Sequence, residues 1–173
     1  MEENIFEKSE KALLKRGFTI ESKDIERPWG GFFVIAEAEA PTFAATYFPH
    51  IAQEDLLGGK RVCPKVLLVA PNKRLSWQYH FRRSEVWTIV EGTVGVIRSE
   101  NDEETPLETY TVGDTITLAQ GERHRLVGLD DWGIIAEIWQ HTDPQNPSDE
   151  NDIVRLQDDF GRKGQVTRKE RDV

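Results

Sequence analysis

Short runs of apolar residues follow one another along most of the chain after residue 27, and they predict an all-β fold. The candidate strands cover residues 32–36, 66–70, 75–80, 86–90, 93–98, 108–112, 115–118 and 133–140. Turn-forming residues, mostly glycine, proline, asparagine and aspartate, separate these runs. Many short strands separated by turn signals are typical of a sandwich or a barrel.

The first residues of the chain show a helical pattern instead. Across residues 2–16 an apolar stripe runs among glutamate and lysine residues, and Gly17 supplies a stop signal. The stripe consists of Ile5, Phe6, Ala12 and Leu13. We therefore expect an N-terminal helix that packs on the β-domain or on a partner subunit.

These patterns divide the chain into three parts. Residues 1–26 form an N-terminal helical extension, residues 27–162 form a barrel, and residues 163–173 form a highly charged tail that frays. Within the barrel segment, residues 37–62 fit the strand pattern poorly and include a short helix that ends near Gly58. We expect this segment to be an excursion over one end of the barrel, or a lid.

Composition and charge narrow the class of protein. At 173 residues the chain is long enough for one domain with a substantial core. A net charge of −9 and a pI near 5.0 argue against binding to nucleic acid or to an anionic membrane. No apolar run approaches the roughly 20 residues that span a bilayer, and the acidic N-terminus does not resemble a signal peptide. The single cysteine, Cys63, cannot form an internal disulfide, so we expect a cytoplasmic protein.

Four side chains that are typical metal ligands occur at spacings that a small β-barrel can bring together. Gln78 and His80 are two residues apart, so on a strand both point to the same face. Glu85 follows after a short turn, and His124 ends a second glycine-containing segment. This set of oxygen and nitrogen donors suits Zn²⁺, Mn²⁺, Fe²⁺ or Co²⁺ and leaves room for a substrate oxygen.

Basic residues bracket this candidate site in an otherwise acidic chain. They are Lys73, Arg74, Arg82 and Arg83. A basic patch beside a metal ion suggests a small anionic ligand such as a sugar phosphate. Arginine and lysine are also common at solvated strand edges, so the pattern is equally compatible with an ordinary surface.

The ligand segments resemble the paired signatures of the cupin superfamily. In the first cupin motif a His-x-His pair precedes a glutamate, and the second motif ends in a histidine. Within the cupins the chain most resembles type II mannose-6-phosphate isomerases, in which glutamine takes the place of the first histidine. The matching segments are Arg27-Pro-Trp-Gly30, Arg74-Leu-Ser-Trp-Gln78-Tyr-His80, Arg83-Ser-Glu85-Val-Trp87, Gly121-Glu-Arg-His124, Asp152-Ile-Val-Arg155 and Asp158-Asp-Phe-Gly-Arg162. The resemblance implies a cupin jelly-roll β-barrel with an added N-terminal α-helix.

The chain departs from the family pattern at several positions near the site. Phe81, Arg82 and Val86 stand where family members often have histidines. Ala119 replaces the usual proline of the second motif, and Gly128 replaces an asparagine. These changes leave the expected fold and metal site in place, but they affect the side chains that would select the substrate.

The resemblance also implies a function. We expect a metal-dependent aldose–ketose isomerase that converts mannose 6-phosphate to fructose 6-phosphate through an enediolate. The cofactor would be one divalent metal ion, with zinc favoured over manganese, cobalt or iron. The partner would be a small-molecule sugar phosphate rather than nucleic acid or a membrane, and the chain could form a homodimer.

Three residues are candidates for the chemistry itself. Glu137 lies on an apolar strand, where burial raises the pKa of a carboxyl group toward a range useful for a general base. The alternative for Glu137 is an ion pair with a core arginine or lysine. Lys65, on another apolar strand, is the second candidate for proton transfer. Arg74 resembles an arginine that the family places beside the ligands, and it would contact the phosphate or the enediolate.

Other arginines and other functions remain open. Arg83, Arg155 and Arg162 are candidates for phosphate binding, although each could instead form a surface or docking ion pair. The competing functions are an isomerase of a different sugar or phosphosugar, a cupin that binds a sugar or a metal without turnover, and a metal-dependent dioxygenase. Turnover of phosphosugars and oxygen consumption separate these possibilities.

Overall fold

Two antiparallel β-sheets face each other in the computed structural model, which describes residues 3–162. The first sheet has the strand order β1-β2-β3-β10-β5-β8, and the second has the order β11-β4-β9-β6-β7. The strands are β1 (Ile20–Arg27), β2 (Gly30–Ile35), β3 (Val62–Val69), β4 (Trp77–Tyr79), β5 (Arg83–Glu91), β6 (Thr93–Ser99), β7 (Glu108–Thr111), β8 (Thr115–Leu118), β9 (Arg123–Gly128), β10 (Gly133–His141) and β11 (Val154–Gln157). This arrangement is the jelly roll that the sequence predicts.

The central strand β10 separates two hydrophobic cores because alternate residues of a strand point to opposite faces. Ile135 belongs to the core between the sheets, whereas Ile134 and Ile138 belong to a core on the outer face of the first sheet. Glu137 shares the parity of Ile135, so its side chain points between the sheets. On the neighbouring strand β3, the same alternation directs Lys65 inward together with Leu67.

Helices cover the outer face of the first sheet. Helix α1 (Ile5–Lys15) is capped by Asn4, whose side chain accepts a hydrogen bond from the backbone N–H of Glu7. Its buried Leu13 belongs to the outer core. None of the helices among the described residues is long and apolar enough to cross a membrane.

The segment 37–62 also lies on this outer face. It contains a 3₁₀ helix (Glu37–Glu39), α2 (Ala40–Tyr47) and α3 (Gln53–Leu57). Phe43 and Leu56 are almost completely buried in the outer core. These apolar side chains pack against the outer face of the first sheet, and no residue of the segment lines the cavity described below. The excursion or lid over the barrel stays a prediction.

Three strands lie outside the predicted strand segments. Strand β1 falls within the expected helical extension, and its residues pair with β2. Its mostly exposed, polar positions gave no apolar run. Strands β9 and β11 were also missed, because both are short and contain polar residues. The predicted charged tail, residues 163–173, lies outside the described residues.

Gly30 allows β2 to approach β3 closely. Its φ angle is +145°, and a Cβ atom at this position would lie 1.9 Å from the backbone oxygen of Leu68. Only glycine tolerates both conditions. The Arg27-Pro-Trp-Gly30 segment therefore forms a tight β1–β2 turn at the edge of the cavity, with Arg27 and Trp29 among the lining residues.

Candidate metal centre

His80, Glu85 and His124 converge between the two sheets. The Nε2 atoms of both histidines lie 3.2 Å from Oε2 of Glu85. Glu85 comes from β5 in the first sheet, whereas His124 comes from β9 in the second. His80 directly follows β4. All three side chains are at most 5% exposed, so the packing of the two sheets fixes their positions.

Gln78 lies beside this cluster. It pairs with His124 across β4 and β9, and its side chain lines the same cavity. Its Nε2 atom donates a hydrogen bond to the backbone oxygen of Ser76 at 3.3 Å. This bond leaves the amide oxygen available as a ligand. Three of the four predicted metal-ligand residues, Gln78, Glu85 and His124, thus line one cavity, and the fourth, His80, contacts Glu85 beside it.

The hydrogen bonds of the two imidazoles determine their tautomers. Nδ1 of His80 lies 2.7 Å from the backbone oxygen of Asp152, and Nδ1 of His124 lies 3.1 Å from that of Glu122. A ring nitrogen that bonds a carbonyl oxygen must carry the proton. In the neutral form of each ring, Nε2 therefore points its lone pair toward Glu85, which is the usual orientation of histidines that bind metals.

The donor atoms at this point fit a divalent cation. Oε2 of Glu85 is buried, and among residues 3–162 it has no hydrogen-bond partner. It faces Nε2 of His124. Nε2 of His80 also lies 3.2 Å from Nη2 of Arg83, which can donate a hydrogen bond to it. Oε2 of Glu85 and Nε2 of His124 thus face each other without a hydrogen bond between them, and the nearest charged donor, Nε of Arg83, lies 3.7 Å from Oε2; buried acceptors without a donor are costly. A cation bound by two imidazoles, a carboxylate and an amide oxygen would satisfy all of them.

The protonation states of the ligands support the same interpretation. Burial, followed by the positive charge of Arg83, lowers the pKa of His80 to about 4. Burial by itself would raise the pKa of Glu85, but Arg83 and the two histidines outweigh it and hold that pKa well below its usual value. At neutral pH, His80 is therefore neutral and Glu85 is ionised, as metal ligands must be.

Asp152 stabilises the position of His80 and of the residues that follow it. Its side chain is 2% exposed, and its carboxylate accepts hydrogen bonds from the backbone N–H groups of Phe81 and Arg82, both at 2.9 Å. The hydroxyl of Ser148 donates to the same carboxylate at 2.6 Å. Because its carbonyl oxygen also bonds His80, Asp152 ties the chain after β4 to the segment before β11.

The cavity around the centre carries more cationic than anionic side chains. It encloses about 80 Å³. Its cationic lining residues are Arg27, Lys65, Arg83, Arg155 and Arg162, and its acidic ones are Glu85, Glu137 and Glu150. Such a lining favours an anionic ligand beside the metal-ligand cluster.

Glu137 is held in this cavity by two indole groups. The Nε1 atoms of Trp87 and Trp139 donate hydrogen bonds to its two carboxylate oxygens at 2.8 Å and 2.6 Å. Burial, and then the nearby charge of Glu85, raise the pKa of Glu137 well above its usual value. The direct partners of Glu137 are thus indole donors rather than the core arginine or lysine considered from the sequence.

Lys65 lies on the strand next to Glu137 and is directly paired with it. Its ammonium group lies 4.1 Å from the ring centroids of both Phe32 and Trp139, and 2.7 Å from Oε1 of Glu150. Only 3% of its side chain is exposed. The rings and the carboxylate therefore hold a buried positive charge at the cavity wall.

Arg83, Arg155 and Arg162, which are predicted to bind phosphate, all line the cavity. Arg83 is buried, with its guanidinium 3.5 Å from the ring centroid of Trp139. Arg162 forms an ion pair with Asp158 at 2.7 Å. Arg155 pairs with Gln78 across β11 and β4. Burial, and then the charge of Arg162, lower the pKa of Arg155.

Comparisons with known proteins agree with this geometry. Residues 36–158 match the sequence model of the family described as mannose-6-phosphate isomerase C-terminal. The chain belongs to this family of cupins. It is also 33% identical over 125 residues to the xanthan biosynthesis protein XanB of Xanthomonas campestris pv. campestris, covering 72% of this chain and 25% of that protein. The XanB protein of a second strain is 32% identical over the same length. The chain thus spans about a quarter of the length of the curated relatives it matches.

Solved structures support the fold alone. An oxalate decarboxylase from Bacillus subtilis superposes with a TM-score of 0.55 at 13% identity, covering 78% of this chain and 30% of that one. Hazelnut (Corylus avellana) vicilin gives a TM-score of 0.51 at 16% identity, covering 75% and 34%. The all-β jelly-roll prediction and the resemblance to cupin-type mannose-6-phosphate isomerases are therefore confirmed.

Not every basic residue near the family motif reaches the cavity. The guanidinium of Arg74 makes two hydrogen bonds to Asp159, at 2.7 Å and 2.9 Å, and Arg74 does not line the cavity. Its placement beside the substrate is therefore not supported, because Asp159 holds it outside. Of the other residues in the predicted basic patch, Lys73 and Arg82 also lie outside, and only Arg83 lines the cavity.

Three charged or hydroxyl-bearing lining residues were not singled out as site residues from the sequence. Arg27 reaches the cavity from the end of β1, and Glu150 reaches it from the segment after β10. Ser76 is 1% exposed, and its hydroxyl has no hydrogen-bond partner among the described residues. Its position two residues before Gln78 is the one signal that could have identified it, because alternate residues of an extended segment share a face.

Proposed function

We propose that the protein is a metal-dependent aldose–ketose isomerase that acts on a sugar phosphate, with mannose 6-phosphate and fructose 6-phosphate as the leading pair. The observation that carries this proposal is the buried Glu85 oxygen that faces His80 and His124 in a cavity lined by five cationic side chains. Membership of the mannose-6-phosphate isomerase C-terminal family supports the same reaction.

The residues that would hold the metal are Gln78, His80, Glu85 and His124. Zinc is the proposed ion because two imidazoles and a carboxylate are ligands that it commonly uses, and manganese, cobalt and iron are the alternatives. When bound, such an ion acts as a Lewis acid that polarises the carbonyl and hydroxyl oxygens of the sugar. Arg83 would have to release the lone pair of His80, which it now contacts at 3.2 Å.

Glu137 is the proposed general base. An isomerase must move a proton between two adjacent sugar carbons, and a carboxylate with a raised pKa can both accept and return it. The indole groups of Trp87 and Trp139 orient the carboxylate of Glu137. Lys65 is paired with Glu150 and packs against two aromatic rings, so we assign it to stabilising an anionic group of the substrate rather than to proton transfer.

The remaining cationic side chains would recognise the phosphate group. Arg27, Arg155 and Arg162 line the cavity together with Lys65 and Arg83. Guanidinium groups match phosphate geometry through paired hydrogen bonds. This positive lining would orient the sugar, because the end that carries the phosphate is fixed by charge while the carbonyl end faces the metal ligands.

The test is turnover of mannose 6-phosphate by protein that has been stripped with a chelator and reloaded separately with Zn²⁺, Mn²⁺ or Co²⁺. Fructose 6-phosphate formation is followed in a coupled assay. We expect turnover only after reloading, and none in a variant that combines Gln78→Ala and His124→Ala. His50→Ala serves as the matched histidine control, because His50 is exposed and does not line the cavity.

Two results would contradict the proposal. Tight metal binding without turnover of mannose 6-phosphate would mean that the substrate is another sugar or phosphosugar, or that the protein binds without turnover. Oxygen consumption by iron-loaded protein would instead favour a dioxygenase. A panel of phosphosugars and free sugars, assayed under the same conditions, separates the first two explanations.

A further inference from the structure

The carboxylate of Glu150 lines the cavity, although Glu150 does not belong to any of the strands. It lies in the segment between β10 and β11, and its side chain is 54% exposed. Its Oε1 atom nevertheless reaches Nζ of the buried Lys65 at 2.7 Å. An exposed side chain is thus the hydrogen-bond partner of a cation at the cavity wall.

The three acidic side chains that line the cavity within residues 3–162 have different surroundings. Glu85 faces the two histidine ligands, and Glu137 accepts hydrogen bonds from two indoles. Glu150 instead neutralises cationic lining residues. Although burial opposes its ionisation, Lys65 and then Arg83 and Arg27 keep the pKa of Glu150 below its usual value. Its negative charge therefore stands among the cations that an anionic ligand would use.

Two anions cannot share these cations without a cost. A phosphate group that approaches Lys65 meets the carboxylate of Glu150, and like charges at contact distance repel. The cavity is also small, at about 80 Å³, so the two groups compete for space as well as for charge. Binding of a phosphate group at Lys65 thus requires the carboxylate of Glu150 to leave.

We propose that Glu150 is an internal anion that occupies the phosphate position of the substrate and is displaced when the substrate binds. This inference rests on the proposed function, because it takes the ligand to be a sugar phosphate. Glu150 would then set the affinity for the phosphate group, since every ligand that binds at Lys65 must break the 2.7 Å contact.

The segment around Glu150 is held so that this side chain can move by itself. Nη1 of Arg82 donates to the backbone oxygen of Pro147 at 2.8 Å, and Nη1 of Arg83 donates to that of Asp149 at 3.2 Å. Asp152 fixes the other side of the segment through Phe81 and Arg82. Rotation of an exposed glutamate side chain is fast, so displacement needs no movement of the backbone.

The experiment is calorimetric titration of inorganic phosphate into the full chain loaded with Zn²⁺, comparing the parent protein with Glu150→Gln. We expect the variant to bind phosphate about three- to tenfold more tightly, because one competing charge has been removed. Asp149→Asn is the matched control, since it removes the same charge from the neighbouring residue, which does not line the cavity. It should bind phosphate as the parent protein does.

Several outcomes would overturn the inference. Unchanged or weaker phosphate binding by Glu150→Gln would mean that Glu150 positions Lys65 instead of competing with the ligand. An equal gain in phosphate affinity in Asp149→Asn would mean that the effect comes from net charge alone. If neither the parent protein nor Glu150→Gln binds phosphate, there is no phosphate subsite at Lys65. Because Glu150 is largely exposed, the variant should fold, and circular dichroism checks this.

Turnover of mannose 6-phosphate, measured separately, keeps the two proposals apart. Tighter phosphate binding by Glu150→Gln in a protein without turnover would uphold the role of Glu150 and contradict the isomerase. Turnover by the parent protein, with unchanged phosphate affinity in Glu150→Gln, would uphold the isomerase and contradict the proposed role of Glu150. If both hold, we expect Glu150→Gln to lower KM for mannose 6-phosphate by the same factor as the phosphate dissociation constant.

Discussion

Nδ1 of His80 lies 2.7 Å from the backbone oxygen of Asp152, and this contact joins the proposed metal ligands to the segment before β11. It fixes the imidazole in the tautomer whose Nε2 lone pair faces Glu85. The carboxylate of Asp152 in turn accepts three hydrogen bonds, from Phe81, Arg82 and Ser148. The orientation of a ligand therefore depends on a residue that lies far away in the sequence and does not itself face the metal position.

The first prediction concerns Asp152→Asn. An amide keeps one acceptor oxygen but turns an N–H group toward donors, so at least one buried hydrogen bond is lost. We expect the free energy of unfolding to fall by about 1–3 kcal/mol, and metal affinity to fall roughly 10- to 100-fold because the backbone oxygen that orients His80 is held less firmly. Urea denaturation and competition with a chromophoric chelator measure the two effects. Equal metal affinity in parent and variant would contradict the supporting role of Asp152.

The second prediction concerns the unsatisfied oxygen of Glu85. Metal that binds only the folded protein at about 100 times its dissociation constant should raise the free energy of unfolding by about 2.7 kcal/mol. Glu85→Gln should remove most of this gain, because a neutral amide is a weaker ligand. Without metal, however, the variant should lose little stability, since the new N–H group can donate to a histidine Nε2.

Thermal unfolding with and without Zn²⁺ tests both halves of that prediction. Glu91→Gln is a suitable control, because Glu91 lies at the other end of the same strand and outside the cavity. A metal-dependent increase in Tm that survives in Glu85→Gln would place the ion elsewhere.

The third prediction is the pH dependence of stability in the metal-free protein. The pKa of His80 is about 4 in the folded state and 6.5 in the reference state. As the pH falls from 6.5 toward 4, the unfolded chain therefore binds a proton that the folded chain excludes. The free energy of unfolding should decrease over this window, by up to about 3 kcal/mol from His80. The lowered pKa of Glu85 adds a loss in the same direction as the pH falls below 4.5, the usual pKa of a glutamate.

Urea denaturation at several pH values between 4 and 7 measures this dependence. His80→Gln, which cannot titrate, should show a shallower slope than the parent protein. A parent stability that stays constant or increases as the pH falls through this window would contradict the assignment of His80 as a buried neutral imidazole.

The fourth prediction separates the two candidates for proton transfer. Glu137→Gln should lower kcat by about 10²- to 10⁴-fold while metal affinity is retained. Trp139→Phe, which removes one indole donor to Glu137, should have a smaller effect because the carboxylate remains. Lys65→Met should raise KM more than it lowers kcat, since Lys65 is assigned to charge stabilisation. Turnover that persists in Glu137→Gln but disappears in Lys65→Met would reverse the assignment.

Part of the proposed metal-ligand cluster could be predicted from the sequence because its spacing is local. Gln78 and His80 share a face through strand periodicity, and Glu85 follows at the start of the next strand. The burial of Glu137 also followed from its place among apolar residues. Its partner Trp139, two residues along the same strand, shares its face, whereas the contact with Trp87 depends on the register of β10 with β5.

The sequence was least informative where a long-range partner positions a residue. Arg74 carries the family pattern, but its guanidinium binds Asp159, which lies 85 residues away in the sequence, and Arg74 does not line the cavity. The segment 37–62 has apolar residues that suit a lid as well as a packing layer, and its burial depends on the outer face of the first sheet. Glu150 lies in an irregular segment without periodicity, so no sequence pattern pointed to it.

The most direct test of the central claim is the proton NMR spectrum of mannose 6-phosphate incubated with Zn²⁺-loaded protein. We expect fructose 6-phosphate signals to appear, to stop increasing when a chelator is added, and to resume increasing after Zn²⁺ is restored. A protein that binds one metal ion per chain but leaves the mannose 6-phosphate spectrum unchanged would contradict the proposed isomerase.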